Sequence, residues 1–193
     1  MKGYIYITGT GADPAARQNL NDPLFMRIPT LGGCMPNIRR LVERGDFIFV
    51  VSGKVPGIQQ YVVGGLRVAE KITALAAYER FPENRLSLDP NGQLQGNVIV
   101  NELGHKHPLD GHKASTFADR VKNFIVGDQS ISLKTPREVE LGREQSLPKI
   151  SEILNRRGNR LIDVVSRWSK LDERQVGQVV DWLKGIKAEA ANP

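Results

Sequence analysis

The chain has 193 residues, 40% hydrophobic and 25% charged, with a net charge of +6 and a pI of about 9.6. That composition excludes a disordered or fibrous polymer and suits one domain, or one domain with a small appendage. A single cysteine, Cys34, excludes an intramolecular disulfide, and no window approaches the ~18 apolar residues of a membrane span.

"GYIYIT" alternates aromatic and β-branched residues and predicts a strand. The opening "MKGYIYITGTG" is too short and too polar in its apolar run for a signal peptide. "GTGADPAARQNLNDPLFMRIPTLGG" follows without period, a long loop of the kind that is functional or mobile. "MPNIRRLVERGD" predicts a short helix: Pro36 suits its first position, Ile38, Leu41 and Val42 share a face, and Gly45 suits a left-handed C-terminal cap. Its other face carries Arg39, Arg40, Glu43 and Arg44. "FIFVV" is a continuous apolar run and predicts a central strand covered on both faces. "QYVVGGLRVAEKI" is the next strand, its Gly64-Gly65 pair predicting a bulge or a close backbone approach. The segments Phe47–Ser52 and Tyr61–Ile72 are expected as antiparallel neighbours.

"TALAAYERF" predicts a helix capped by Thr73, and Asp-Pro-Asn-Gly a turn between two short strands within "LSLDPNGQLQ". "NVIVNEL" and "NFIVGDQSISL" read as further strands, separated by a polar segment with His105, His107 and His112. From "TPREVELG" onward the pattern is helical to the end. Thr135 and Glu138 form a capping box with Pro136 at the first helical position; Asp172 and Gln175 form a second cap. Val176, Val179, Val180, Leu183 and Ile186 make one apolar stripe. The organisation predicted is α+β: a mostly β domain over 1–135 and a helical C-terminal extension over 136–193, with closely spaced strands arguing for an antiparallel or mixed barrel.

Four blocks resemble a known family. They are "CMPNIRR", "GDFIFVVSGK", "YVVGGLRVAEKI" and, more loosely, "DRVKNFIVG". Their order is similar to the PUA-like superfamily, with its EVE, YTH and ASCH domains, and within it to the nucleotide modification associated domain 2 family. The similarity covers the first two thirds of the chain. It implies a small curved β-barrel that binds a nucleobase or modified nucleotide, with a link to DNA base modification and restriction. Carried onto the matching blocks, it supports a ligand-binding set of Asn37, Arg39, Arg40, Ser52, Gly53, Lys54, Tyr61 and Asp119, and His112, just ahead of the last and loosest block, is added to it as a residue that could hydrogen-bond a ligand or act as a general acid/base.

The residues themselves leave two readings open at most of these positions. Ser52-Gly53-Lys54 lacks the preceding glycine and following helix of a phosphate-binding P-loop. It is either a hairpin end with a solvated lysine or a pocket rim where Gly53 keeps the wall thin, which predicts a low stability cost for Gly53→Val. Arg39 and Arg40 are a solvated helix face or a phosphate-gripping pair. The three histidines with Asp110 are dense, but standard zinc spacings are absent, and the expectation is no metal and no cofactor. Cys34 reads as a buried apolar residue. Asp46, Glu70 and Lys71 fail as nuclease groups because the adjacent Glu70 and Lys71 point to opposite faces of a strand. Arg156, Arg157, Arg160 and Arg167 suit a phosphate backbone or an interface helix, and Trp168 and Trp182 suit packing.

Net charge and pI are one footprint of nucleic-acid binding, and equally of a solvated basic surface. The leading expectation is a non-enzymatic module that reads a modified base in DNA or RNA, in the cytoplasm and away from membranes. The alternatives are an enzyme acting on a nucleotide or nucleobase through His112 and Asp119, and an interaction protein that recruits a partner through its helical tail.

Overall fold

The computed structural model of the chain describes residues 1–16 and 21–192. The part of the long N-terminal loop at 17–20 therefore lies outside the described residues. The elements run β1 (Gly3–Ile7), β2 (Thr30–Leu31), α1 (Pro36–Leu41), β3 (Phe47–Val51), β4 (Val62–Ile72), α2 (Ala74–Arg80), β5 (Ser87–Leu88) and β6 (Leu94–Gln95). They continue through α3 (Phe117–Arg120), β7 (Phe124–Ser132), α4 (Pro136–Leu154), α5 (Leu161–Val165), β8 (Trp168–Leu171) and α6 (Glu173–Ala191). The fold is α+β, with a six-stranded mixed sheet in the order β2-β7-β4-β3-β1-β8 and a separate β5-β6 hairpin. That order ends on β2 and β8, and no pairing joins the two among the described residues. The sheet is not closed among the described residues, and so does not bear out the curved barrel expected from the sequence.

The chain divides into two compact units, one of 1–18, 45–67 and 130–193, the other of 19–44 and 68–129. The division falls within β4 and within β7. In the first unit β3 is the buried centre: all five residues are buried, as its unbroken apolar run requires. It pairs parallel to β1 (Gly3↔Phe47 to Ile7↔Val51) and antiparallel to β4 (Phe47↔Arg67 to Val50↔Gly64). The register slips between Val50 and Val51, which gives the bulge that the glycine pair signalled. A Cβ on Gly64 would stand 2.3 Å from the Ile131 carbonyl oxygen, and one on Gly65 2.3 Å from Phe49 Cδ1. Both glycines are there so that main chain and ring can close on the strand.

The C-terminal segment departs from the helical reading. The run around Trp168 is β8, antiparallel to β1 (Gly3↔Leu171, Tyr6↔Trp168). Its alternation of half-buried Trp168, buried Ser169, exposed Lys170 and buried Leu171 has the period of two of a strand. Trp168 stands 5.8 Å from Tyr4, centroid to centroid. Both predicted capping boxes form. Val176, Val179, Leu183 and Ile186 are fully buried on α6, each contributing about 1.5–3 kcal/mol, while Val180 is half-buried.

Glu138 does more than cap α4. Its carboxylate accepts from the amides of Lys134 (2.6 Å) and Thr135 (3.2 Å) and from the Lys187 ammonium of α6 (2.7 Å). Burial pushes this carboxyl upward, but those three donors outweigh it and hold it below the usual glutamate range.

In the second unit Ala74, Ala77, Phe81, Val98, Val100, Phe124 and Val126 form the core, with Ile72, Tyr78 and Phe117 against it. Thr73 caps α2 by accepting from the Ala76 amide (3.1 Å). "NVIVNEL" is not a regular strand; only single bridges occur at Val98 and Val100. The amides of Asn97 and Val98 both turn to the Asn84 carbonyl (2.9 Å each), which breaks the ladder. Helix α1 stops at Leu41, and Gly45 (φ 88°) sits in the following turn and not at the helix cap.

Two outcomes follow for the first unit. Gly65→Val forces a side chain into the Phe49 ring and should destabilise by about 1–3 kcal/mol, read as a lower urea midpoint at unchanged slope. Glu138→Gln should cost most stability at neutral pH. Because the folded carboxyl is lowered, its contribution is complete above the unfolded value and vanishes as pH falls through the folded one. The two stability curves should converge in acid; a constant gap would contradict the lowered carboxyl.

Candidate functional site

The second unit concentrates polar chemistry around Gly32-Gly33-Cys34, which follows β2. The Asp22 carboxylate is buried and accepts from three consecutive amides, Gly32 (2.8 Å), Gly33 (2.9 Å) and Cys34 (2.5 Å), and from Asn97 Nδ2 (3.0 Å). Successive N–H groups of this kind make an anion nest, here filled by the protein's own carboxylate. Glycine is required at two of the three positions. A Cβ on Gly32 would lie 2.0 Å from the Asn97 carbonyl oxygen, and one on Gly33 2.9 Å from His112 Cε1.

Arg39 holds this loop from beneath. It is fully buried, and its guanidinium donates to four main-chain carbonyls: Cys34 (2.7 Å), Asn123 (2.5 Å), Arg120 (3.0 Å) and Gly33 (3.3 Å). This corrects the expectation of Arg39 as half of a phosphate-gripping pair. The planar fork is used, but on carbonyls within the protein. Arg40, the next residue on α1, is exposed, and Lys71 Nζ donates to its carbonyl (3.2 Å).

His112 lies against the same glycine. Its Nδ1 is 2.5 Å from Asp110 Oδ1, and Asp110 is 5% exposed. The Lys106 ammonium stands 3.4 Å from Asp110 Oδ2 and also bonds the Asp110 carbonyl. Arg120 donates through Nη1 to the Gly33 carbonyl and through Nε to Thr116 Oγ1 (3.0 Å). An imidazole and a guanidinium thus meet one glycine residue. His112 Nε2 bonds no described residue. A buried carboxylate on Nδ1 fixes the ring's orientation and leaves Nε2 as the nitrogen without a partner among the described residues.

Asp119 is not the partner that the sequence suggested for His112. Its side chain is 75% exposed and pairs with Lys122 (3.0 Å). The partner is Asp110, and the signal was the Asp-x-His spacing in "DGH". His105 and His107 do not join: among the described residues no group of three His, Cys, Asp or Glu side chains is placed to hold a metal ion. Burial, then the charge and hydrogen bond of Asp22, push the Cys34 thiol far up, against the smaller opposing pull of Arg39 and Arg120. A thiol so held is a poor nucleophile.

Ser52, Gly53 and Tyr61 belong to the first unit and form no open rim there. Ser52 is fully buried; its Oγ accepts from the Tyr61 amide (3.1 Å), and its own amide donates to the Tyr61 carbonyl (2.8 Å). The Gly53 amide donates to the Ala12 carbonyl (2.7 Å), and the Gly11 amide to that of Lys54 (3.0 Å). A Cβ on Gly53 would stand 1.9 Å from the Gly9 carbonyl oxygen. The wall is thin at Gly53 because the loop after β1 lies against it, which corrects the expectation that Gly53→Val costs little.

Tyr61 is fully buried under Arg143, whose guanidinium is 4.8 Å from the ring centroid and holds Asp13 through two bonds (3.1 Å each). This tyrosine is part of a clasp between the β1 loop and α4. Lys54 and Asn37 are exposed. Asp46 bonds the Lys2 amide (3.0 Å), and Glu70 pairs with Arg80.

The sequence matches no protein-family model and no curated protein. Among the described residues, no helix is long and apolar enough to cross a membrane.

Arg39→Ala should destabilise by about 3 kcal/mol or more, since each buried carbonyl that loses its donor costs about 1–3 kcal/mol. Arg39→Lys should recover only part of this, because one ammonium cannot reproduce the fork. Arg40→Ala, on the exposed face, should stay within about 0.5 kcal/mol. Equal effects at positions 39 and 40 in urea unfolding would contradict the assignment.

Proposed function

We propose that the protein is a nucleic-acid-binding module in which His112 hydrogen-bonds the ligand and cations near α1 hold its phosphates. The observation that carries this reading is the Asp110–His112 pair seated on Gly33, with Nε2 left unbonded by any described residue. The net charge of +6 supports it, as do exposed Arg40, Arg44 and Lys71 in the same unit. The resemblance to the nucleotide modification associated domain 2 family, with its PUA-like relatives, supports a modified base in DNA or RNA as the feature read. The single cysteine suits a reducing, cytoplasmic setting.

A second reading, an acid/base enzyme acting on a nucleotide or base, is favoured by the 2.5 Å contact between His112 and Asp110. The surroundings weigh against it. The neighbouring amides that would stabilise an oxyanion are bonded to Asp22, and the nearby thiol is held in its protonated form. Binding needs neither.

Titration of labelled oligonucleotides, with and without base modifications, separates these roles. Affinity should fall with salt by about 0.7–0.9 log units per log unit for each phosphate neutralised. Arg40→Ala with Lys71→Ala should lower that slope. His112→Ala should weaken binding about tenfold, the worth of one good hydrogen bond, while leaving the slope unchanged, because a base contact releases no counterion. Full-strength binding by folded His112→Ala protein would overturn the proposal.

A further inference from the structure

Strand β8 ends the sheet on one side, in the first unit. The Ile7 amide donates to the Arg167 carbonyl (3.2 Å). In this antiparallel register Arg167, Ser169 and Leu171 therefore turn their main chain to β1, and Trp168 and Lys170 turn theirs outward. No described residue bonds the amide or the carbonyl of either. An edge of this kind is a template for one more strand.

What flanks that edge has a sign. The side chains of Arg167, Lys170 and Arg174 are exposed and bond no described residue. The carboxylates of the same stretch are committed: Asp163 to Arg160 (2.8 Å), Asp172 to the Gln175 amide (2.8 Å) and Glu173 to the N-terminal ammonium (3.7 Å). Half-buried Trp168, held 5.8 Å from Tyr4 between ring centroids, has an indole N–H that bonds no described residue. Ser166, which joins α5 to β8, holds φ 58° and ψ −151°, a strained conformation for any residue but glycine. The chain accepts that strain at an exposed serine to bring the edge strand directly off the helix.

We propose that β8 takes an acidic, extended polypeptide segment of a partner protein as an added strand. The segment's main chain bonds Trp168 and Lys170, its carboxylates reach Arg167, Lys170 and Arg174, and one of its apolar side chains lies on the Trp168 indole. The outward carbonyls decide against a phosphate backbone, whose oxygens carry no donor for them. The cations decide against a second copy, whose β8 would bring the same cations to the shared edge; lysine on a sheet edge blocks that kind of pairing. The inference rests on nothing at His112.

The probe is a peptide of alternating glutamate and valine, added to the full chain and followed by amide hydrogen exchange resolved by residue. In the free protein the Trp168 and Lys170 amides should exchange quickly and that of Ser169 slowly; the peptide should saturate and slow the first two by about tenfold or more. Arg167→Glu with Arg174→Glu should weaken binding by about tenfold or more. Lys170→Pro removes an outward amide where an edge strand tolerates proline. It should weaken binding about tenfold beyond Lys170→Ala, which removes the same charge. The same glutamate–valine sequence on a fully N-methylated main chain should not bind, which tests the added strand without altering the protein. Full-strength binding of the N-methylated peptide, or no saturable slowing at the two amides, would overturn the proposal. So would equal slowing by inorganic polyphosphate, or protection in the free chain that disappears on dilution, which would assign the edge to a phosphate chain or to a second copy.

Discussion

A buried guanidinium without enough acceptors is among the costliest groups a small protein can enclose. Arg39 is tolerated because four carbonyls from two separate stretches, Gly33–Cys34 and Arg120–Asn123, converge on it. The constraint runs both ways. Three of those carbonyls belong to irregular backbone and the fourth, that of Arg120, to the last turn of α3, so none has a ladder or helix partner of its own. The arginine therefore fixes the loop on which His112 rests and the segment that carries Arg120. Asp22 does the same from the other side, turning three successive amides inward. One buried cation and one buried anion thus satisfy the donors and acceptors of a single glycine loop.

In that loop the polar groups bond one another: the Asp22 carboxylate takes three amides, and Arg39 takes the Gly33 and Cys34 carbonyls. The Asp110–His112 pair stands out because only one end of the imidazole is committed. Lys106 supports the carboxylate and not the ring, so the ring keeps an unbonded nitrogen while its orientation is set. A group fixed on one side and open on the other is pre-organised for a partner, and pre-organisation lowers the ordering cost of binding.

Much of the fold is legible in the sequence where the signal is local. The run "FIFVV" gives a strand buried throughout, and the two capping boxes mark where α4 and α6 begin. The glycine pair at 64 and 65 marks a bulge. What the sequence hides is what depends on distant partners. β8 reads as helix because its apolar Trp168 and Leu171 are three apart and Ser169 is polar; the alternation appears only in the burial that pairing with β1 imposes. The barrel reading comes from the close spacing of strands, which does not say how the strands are ordered. Arg39 and Arg40 are identical in the sequence, yet one is buried and the other exposed, because the carbonyls that receive Arg39 include two from more than 80 positions away. Ser52-Gly53-Lys54 looks like a rim because nothing local shows that the loop after β1 lies on Gly53. For His112, the partner is two residues away, in a loop whose Asp110 reads only as part of a metal cluster while Asp119 reads as the acid/base companion.

The central claim is that Asp110 holds the His112 ring so that Nε2 is presented to a ligand. Long-range nitrogen–proton NMR of the imidazole, which distinguishes the two tautomers, tests it most directly. The account predicts protonated Nδ1 and unprotonated Nε2 in the free protein, loss of that tautomer preference in Asp110→Asn, and a shift of the Nε2 resonance when an oligonucleotide is added. A ring with the proton on Nε2, or an Nε2 resonance indifferent to saturating oligonucleotide, would contradict it.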